Sequence, residues 1–486
     1  MQQSLLLRNI GLLSSNEFAS LGHFVRSPFF NNGNRTKQVE KLYDYIAVYF
    51  PELEAEALQK EIACHSLFSG KPVIELQKVM SELYKVLEKW MAWHQKVEQG
   101  GHGMQVSLAA LSFINDRNQQ DNTKLVGKAL QDIAENAVIK DSNYYYEKYQ
   151  LENELYKTQA LFNPKNSDIN LGKTIRALDV YYLVARLEYA CSMKVQSWFT
   201  QIDTQSSLQL LRTIVAETHD DDYADAPILG ILRDAFELLS DDEKSPNAFQ
   251  TLRRKIEVSG HSIPRYLLLQ LNAYLRNYCT RQYNQGELAY LVVLFELLKQ
   301  HLLDETLYEN GKLNPGTVQN IVNVGLKLRE AAWVKSFLER HRHRIGGTDA
   351  PDEVYFFNLA NYYFSTQQYQ LAIDTLPQQY TDSQYEQAVR RLEIKAYFEL
   401  QSPLFQPKFD AFKMFIHREQ HRHNITAHIF ELNNNFLKIV GKLEQSALYG
   451  NQSVSQKLLD KLHSLGAVAE REWLLQKISV GLGAGK

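Results

Sequence analysis

Two runs of basic residues hold the side chains that could bind an ion or a charged partner. The longer run spans residues 417–423 and is rich in His and Arg: His417, Arg418, His421 and Arg422. His417 and His421 are four residues apart, so both would lie on one face of a helix, as two metal ligands must. His428 or Glu431 could supply a third ligand. The run has no His-Glu-x-x-His signature, no nearby Cys and several competing cations, so it favours a solvated basic face, and we predict no metal site.

The shorter run reads His-Arg-His-Arg at residues 341–344 and falls at the end of a predicted helix. Positive side chains there complement the helix dipole, which explains them without a ligand. We name His341, Arg342 and Arg344, together with the 417–423 run, as a possible partner or anion surface. If the two clusters lie close on adjacent hairpins, they could form a local patch for an anion or RNA, provided that aromatic side chains for base stacking lie beside them.

Three other stretches resemble ligand sites but lack the residues that those sites require. The tail GLGAGK at 481–486 has no Ser or Thr after its Lys and lacks the spacing of a phosphate loop. The acidic turn at 219–227 lacks the Gly and the terminal Glu of a calcium loop. The glycine-rich break at 100–103 has no strand before it. We find no Gly-x-Ser-x-Gly elbow and no carboxylate pair, so we predict no catalytic residue and no cofactor.

The composition favours an all-α protein. The chain has 486 residues, too many for one compact core and enough for two or three domains or one long solenoid. Proline and glycine number only 12 and 23, so few residues would interrupt long helices, and good helix formers are plentiful. The net charge of −3 gives no global field to hold nucleic acid or an acidic membrane.

Three other features of the sequence indicate the compartment in which the protein resides. Three distant cysteines, Cys64, Cys191 and Cys279, are typical of small buried residues in a reducing compartment. No window of about 18 apolar residues is present, which argues against a membrane span. The N-terminus lacks a basic segment followed by a sustained apolar run, so we expect no signal peptide and a cytoplasmic protein.

The elements that would position these side chains are helical hairpins. In residues 351–400, two sets of apolar residues recur at helical spacing on either side of a polar break at 365–368. The sets are Phe356, Leu359, Ala360 and Tyr363, then Tyr369, Ala372, Ile373 and Leu376. Such a hairpin cannot bury both stripes alone, so a stack of hairpins is predicted. A weak repeat supports this: Val324-Gly325 recurs 35 residues later as Leu359-Ala360, and the small residues Gly325 and Ala360 should let a facing helix come close.

Four regions follow from the breaks between predicted helices. They are an N-terminal helical domain at 1–99, a helical-hairpin repeat region at 104–345, a repeat-like region at 346–450, and a C-terminal capping helix with its tail at 451–486. Within them, residues 54–68 are predicted to form one helix, and residues 454–478 are predicted to form a single last helix that covers the end of the stack.

The segment 353–384 resembles a tetratricopeptide repeat (TPR). That pattern has a large residue, Leu, a small residue and Tyr on its first helix, and an aromatic, Ala and a bulky residue on its second. The matching residues are Phe356, Leu359, Ala360, Tyr363, Tyr369, Ala372 and Leu376. Gln384 stands where the pattern has proline, and Pro377 should shorten the second helix to about two turns. The resemblance implies a right-handed superhelix of stacked αα-hairpins, a TPR-like α-solenoid, with a concave groove.

Two functions are compatible with these observations. The first is a non-catalytic scaffold or adaptor that holds a protein or peptide partner along a concave helical surface, without nucleic acid or membrane partners. The alternative is an RNA- or anion-binding helical repeat that uses the two basic clusters. A helical enzyme with an unrecognised site is a third hypothesis, for which we find no residue set.

Overall fold

The computed structural model describes residues 1–95, 104–117, 126–129, 140–162, 170–198, 205–216, 223, 225–240, 247–377, 383–449 and 452–483. Across these ranges the protein is all-α, with two isolated β-bridges and no strand. In the same ranges, no helix has both the length and the apolar character needed to cross a membrane. The predicted all-α class is therefore confirmed.

The chain forms two compact units, Met1–Leu267 and Leu268–Lys486. The division falls within one long helix, Arg265–Asn284. The boundaries predicted near residues 100, 345 and 450 stay predictions, and the glycine-rich break at 100–103 lies outside the described residues.

The N-terminal unit begins with five helices around one core. They are α1 (Leu5–Ile10), α2 (Ser15–Arg26), α3 (Thr36–Ala47), α4 (Lys60–Leu67) and α5 (Val73–Trp93). α5 packs against each of the other four and buries an apolar stripe that includes Leu76, Leu83 and Trp90. Such a stripe at helical spacing is what the hydrophobic effect requires of a central helix.

The single helix predicted for residues 54–68 is wrong, because the chain there forms a short 3₁₀ turn, Glu56–Leu58, followed by α4. Gln59 between them is extended, with φ −64° and ψ 147°. Leu58 is fully buried in the core, and its carbonyl accepts a hydrogen bond of 2.7 Å from the Met1 ammonium. These tertiary contacts override the local helix propensity.

In the rest of the N-terminal unit, one long helix contacts three of the other helices. The further helices are α6 (Met104–Asn115), α7 (Ser142–Phe162), α8 (Leu171–Ser197), α9 (Gln205–Ala216), α10 (Pro227–Leu239) and α11 (Ala248–Ser259). α8 contacts α7, α9 and α10. Cys191 on α8 is fully buried, as Cys64 and Cys279 are elsewhere in the chain, which matches the prediction for all three thiols.

The C-terminal unit is a succession of helices, each packed against the next from α13 onward. After α12 (Arg265–Asn284) they are α13 (Ala289–Leu303), α14 (Pro315–Lys327), α15 (Ala331–His341), α16 (Pro351–Ser365), α17 (Tyr369–Thr375), α18 (Ser383–Glu399), α19 (Phe405–His421), α20 (Ala427–Tyr449), α21 (Gln452–Ser464) and α22 (Arg471–Gly483). Alternate helices also pack together, α14 against α16, α16 against α18, and α20 against α22.

The same turn ends six of the described helices of this unit, α12, α13, α14, α16, α18 and α19. In each, a residue with positive φ is followed by a backbone N–H that donates to the carbonyl five residues earlier, which is the Schellman arrangement. The positive-φ residues are Gly286, Glu305, Arg329, Gln367, Gln401 and His423. The turns after α14 and α16 are 38 residues apart and align Gly325 with Tyr363, and the predicted 35-residue repeat stays a prediction.

Two local features that were predicted from the sequence, at Gly325 and at Pro377, are present in the structure. A Cβ added at Gly325 would lie 2.5 Å from Val334 Cγ2, so this glycine does allow α14 and α15 to approach closely. α17 ends at Thr375, and Leu376 before Pro377 is extended, which confirms that Pro377 shortens the helix.

The single helix predicted for 454–478 is wrong, because α21 and α22 are separate. The Arg471 guanidinium donates to the carbonyls of Leu462, Leu465 and Gly466 at the end of α21. The side chain thus satisfies carbonyls at the helix end, at a point where the chain turns.

Candidate functional site

One cavity of about 440 Å³ in the C-terminal unit is lined by alternate helices. The lining residues are Gln319 on α14, Phe357 on α16, Tyr385, Gln387, Ala388 and Arg391 on α18, Ile429, Leu432 and Asn433 on α20, and Ala469 and Glu470 before α22. None of these lining residues belongs to α15, α17, α19 or α21. Four alternate helices and one turn thus share a single recess, which we call the α18 groove.

A chain of hydrogen bonds runs along the floor of the α18 groove. Asn433 Nδ2 donates to Gln387 Oε1 over 2.8 Å, and Arg391 Nη1 donates to Asn433 Oδ1 over 2.8 Å. Arg391 Nε and Lys395 Nζ then donate to the two oxygens of the Glu470 carboxylate, over 3.3 and 2.5 Å. The chain therefore joins α18, α20 and the turn before α22 through side chains.

Most members of this chain are removed from water. Gln387, Asn433 and Lys395 are only 3%, 2% and 7% exposed. The Glu470 side chain is 27% exposed, because it lines the open groove. Buried charges are stable only when they are paired and hydrogen-bonded, which is the arrangement found here.

Electrostatics fix the protonation state of Glu470. Its removal from water would by itself raise the pKa of the carboxyl group, but the Lys395 ammonium and the Arg391 guanidinium outweigh that effect and lower the pKa to about 2. Glu470 is therefore an anion at neutral pH. With two cations and one anion, the set Arg391, Lys395 and Glu470 carries a net charge of +1.

The backbone of Glu470 is in an uncommon conformation. Its φ is 56°, in the left-handed region that residues other than glycine rarely occupy. The N–H of neighbouring Ala469 donates to the Leu432 carbonyl over 3.1 Å, and the N–H of Leu474 donates to the Glu470 carbonyl over 3.0 Å. The turn is thus held to α20 by backbone as well as by side chains, and the carboxylate is fixed in place.

A second cavity of about 560 Å³ continues along α18. Lys395, Glu399 and Glu470 line it together with Trp473 and Lys477 of α22. The Glu399 carboxylate accepts hydrogen bonds from Trp473 Nε1 over 2.7 Å and from Lys477 Nζ over 2.6 Å. Because Glu470 lines both cavities, they form one polar path along α18.

None of the residues of this path was predicted from the sequence to belong to a site. Its only sequence signal is a stripe of polar residues on α18 at four-residue spacing: Gln387, Arg391, Lys395 and Glu399. Such a stripe usually faces solvent, and Glu470 follows Lys395 by 75 residues, too far for a local pattern to connect them.

The 341–344 cluster lies at the C-terminal end of α15. Arg342 Nη2 pairs with Asp352 over 2.9 Å, and its guanidinium lies 4.6 Å from the Tyr355 ring centre. Arg344 pairs with Glu305 over 2.9 Å and lies 3.6 Å from the Tyr308 ring centre. These cations are therefore held by carboxylates and rings of the same unit.

His341 contributes less positive charge than the sequence suggests. Burial, followed by repulsion from Arg344 and Arg340, lowers the pKa of its imidazole. Its Nδ1 lies 3.0 Å from the Tyr308 hydroxyl, and its ring packs against Phe337. The residue therefore acts mainly as a packing contact at neutral pH.

The 417–423 cluster lies at the C-terminal end of α19. Arg418 lies 3.4 Å and Arg422 4.0 Å from the carboxylate of Glu419, whose side chain is only 9% exposed. His417 packs edge-on against Phe430, and His421 is exposed. The helices α16, α17 and α18 separate this cluster from the 341–344 cluster along the chain, and a patch made by both stays a prediction.

Within the part of the chain that the structure describes, no group of three or more His, Cys, Asp or Glu residues is placed to hold a metal ion. Of the predicted acidic turn, Asp225 is described, and its carboxylate pairs with Arg176 over 2.8 Å; residues 219–222 and 224 lie outside the described residues, as does the tail at 484–486.

The α18 groove is thus a site assembled from four helices and a turn, and we take it as the candidate functional site. Comparison with known proteins adds no identity to it: no protein-family model, no curated protein and no solved structure matches this chain.

Proposed function

We propose that this chain is a non-catalytic scaffold whose C-terminal unit holds a protein or peptide partner in the α18 groove. The observation that carries the proposal is the lining of one recess by α14, α16, α18, α20 and the turn before α22. A surface made by alternate helices of a stack is continuous along the stack, so it suits a partner in extended or helical form.

Two further features support a stack of αα-hairpins. The Schellman turn, which also follows α13 and α19, recurs after α14, α16 and α18 at spacings of 38 and 34 residues, close to the length of a helical-hairpin repeat. The packing of α14 on α16 and of α16 on α18 is what successive first helices of stacked hairpins require. Together with the TPR resemblance of 353–384, they favour a right-handed superhelix whose inner face is the groove.

The chemistry of the groove suits a polypeptide partner. Phe357, Tyr385 and Leu432 offer apolar and aromatic area, and amides on three helices (Gln319, Gln387 and Asn433) offer donors and acceptors. A recess with apolar walls and a few convergent polar groups is the usual form of a binding site. The single carboxylate, Glu470, is held as an anion between two cations with a pKa of about 2, which makes it a poor general acid or base at neutral pH.

The test places a bulky side chain in the groove of a variant that must remain folded. Ala388 lines the recess, so Ala388→Trp would occupy the space that a partner needs. Ala332→Trp adds the same bulk at an exposed position of α15, outside the recess. Tagged wild-type protein and both variants would be used for affinity capture from the native host, with quantitative mass spectrometry.

The proposal predicts one set of partners that wild type and Ala332→Trp retain and that Ala388→Trp loses by about tenfold or more, since a blocked central contact typically costs over 1.4 kcal/mol. Equal recovery by all three proteins would contradict it. Thermal unfolding of each variant serves as the folding control.

The alternative, an RNA- or anion-binding surface made by the two basic clusters, has weaker support. Asp352, Glu305 and Glu419 already pair with arginines of these clusters, so less of their charge is available to a polyanion. Retention on heparin that falls steeply with salt, and is lost when Arg418 and Arg422 become Ala, would favour this alternative.

A further inference from the structure

One helix of the N-terminal unit presents apolar side chains to solvent along most of its length. α8 buries Ala177, Val184 and Cys191 on one side, and a row of apolar residues, which we call the α8 stripe, recurs on the other side. Its members are Leu171, Ile175, Leu178, Tyr182 and Tyr189. Each of them is between 39% and 73% exposed. Single exposed apolar residues are ordinary on a protein surface, but a row of this length indicates an interaction site.

The spacing of the α8 stripe is that of a seam between two helices. With the half-buried Ala185, its positions alternate in steps of four and three residues from 171 to 189. This is the heptad pattern by which two helices pack along each other. Since α8 already uses its other side for the core of its own unit, the stripe is suited to a further helix.

The α8 stripe is complementary to a second copy of itself. Two antiparallel copies can be related by a twofold axis that passes midway between Leu178 and Tyr182. The facing pairs are then Leu171 with Tyr189, Ile175 with Ala185, and Leu178 with Tyr182, each formed twice. Every pair joins an aliphatic side chain to a tyrosine or to an alanine, and none of the pairs contains a charged residue. In a parallel pair, by contrast, each tyrosine would face its own copy.

The charges beside the α8 stripe favour the same antiparallel arrangement. Asp179 and Arg186 each follow a residue of the seam, so both lie on the same edge of it. In an antiparallel pair this edge faces the same edge of the second copy. Asp179 of one copy then lies beside Arg186 of the other, and the twofold axis forms this pair twice. Because charges that flank a helix seam determine partner and orientation, this complementarity argues for a second copy of the chain.

The other edge of the α8 stripe extends the apolar surface onto α7. Tyr181 packs against Tyr146 of α7, with ring centres 5.0 Å apart, and Tyr146 is 42% exposed. Tyrosine is enriched in protein interfaces. The stripe itself is about 27 Å long at 1.5 Å per residue, so its contact lies at the low end of the size range of specific interfaces. We therefore expect a dissociation constant in the micromolar range.

We propose that two copies of this chain form a homodimer through the α8 stripe, with the two α8 helices antiparallel. The proposal is independent of the α18 groove, because all of its residues belong to the N-terminal unit. A dimer presents two α18 grooves, which would raise the avidity for a partner that carries two binding segments.

Sedimentation velocity across the micromolar range tests the proposal with the full-length chain. Leu178→Asp places a charge at the centre of the seam. Because the residue occurs twice in a symmetric interface, we expect the dissociation constant to rise about a hundredfold. Leu371→Asp is the matched control, because Leu371 lies on α17 and is 46% exposed, close to the 42% of Leu178. The control variant should dimerise as wild type does.

A second pair of variants tests the antiparallel register. Asp179→Arg alters only an exposed position, but it places like charges together twice, so the dissociation constant should rise about tenfold or more. The double variant Asp179→Arg with Arg186→Asp exchanges the two charges and should restore dimerisation. Thermal unfolding shows whether each variant is folded, and if Leu178→Asp is not, the Asp179 variants decide the test.

Three results would overturn the proposal. The first is a wild-type chain that stays monomeric across the whole concentration range. The second is a dimer that folded Leu178→Asp does not weaken, since its interface would lie elsewhere. The third is a double variant that dimerises no better than Asp179→Arg alone, which would contradict the antiparallel pairing. None of these results would bear on the α18 groove, whose capture experiment is separate.

Discussion

The α18 groove and the two basic clusters place similar side chains in opposite surroundings. In the groove, Arg391 and Lys395 are near the middle of a helix, mostly buried, and share one carboxylate that follows Lys395 by 75 residues. In the clusters, Arg342 and Arg422 lie at helix ends, with 47% and 63% of their side chains exposed. Basic residues that are close in sequence thus lie at helix ends, where they complement the helix dipole. The charged residues that line the recess are instead brought together by the fold.

Removing the carboxylate that Arg391 and Lys395 share should have the largest effect on the free energy of unfolding. Glu470→Gln keeps the shape of the side chain and leaves Arg391 and Lys395 without a counter-charge. Because Glu470 is partly exposed, we expect a loss of about 2–3 kcal/mol in the free energy of unfolding, below the cost of breaking a fully buried pair. Glu305→Gln, which removes the 60%-exposed partner of Arg344, should cost below about 1 kcal/mol. Urea unfolding measures both.

At acidic pH, the difference in the free energy of unfolding between wild type and Glu470→Gln should disappear. The pKa of Glu470 is lowered to about 2 in the folded protein, against about 4.3 in an unfolded chain. The folded state therefore binds this proton less tightly, so the stabilisation is complete above about pH 5 and is lost as pH falls toward 2. A difference that stays constant between pH 6 and pH 3 would show that the effect does not come from the ionised carboxylate.

A smaller effect is expected in the 341–344 cluster. Arg342 and Asp352 form an exposed pair, 47% and 70% exposed, so a double-mutant cycle with Arg342→Ala and Asp352→Ala should give a coupling free energy of below about 1 kcal/mol. Sodium chloride at 1 M should reduce it further. A coupling as large as the Glu470 effect would remove the distinction between the two regions.

The sequence was informative where structure depends on local pattern. Helical spacing predicted the all-α fold, Gly325 predicted a close helix contact, and Pro377 predicted the early end of α17. It was misleading where tertiary contacts decide. Leu58 is buried and breaks a predicted helix, and Arg471 satisfies the end of α21 and divides a predicted helix in two.

The groove could not be predicted for a related reason. The polar stripe of α18 has the same spacing whether it faces solvent or a recess, and only the packing of α16, α20 and the turn before α22 distinguishes the two. The basic clusters were conspicuous because their residues are adjacent in sequence. Adjacency indicates a helix end as readily as it indicates a ligand site.

The central claim is that a partner lies in the recess formed by alternate helices. The most direct measurement is site-specific photo-crosslinking in the native host, with p-benzoylphenylalanine in place of Tyr385, which lines the groove, or in place of Met414, which is 68% exposed on α19. We expect a discrete protein adduct from position 385 and none from position 414. Adducts from position 414 alone would contradict a partner in the groove.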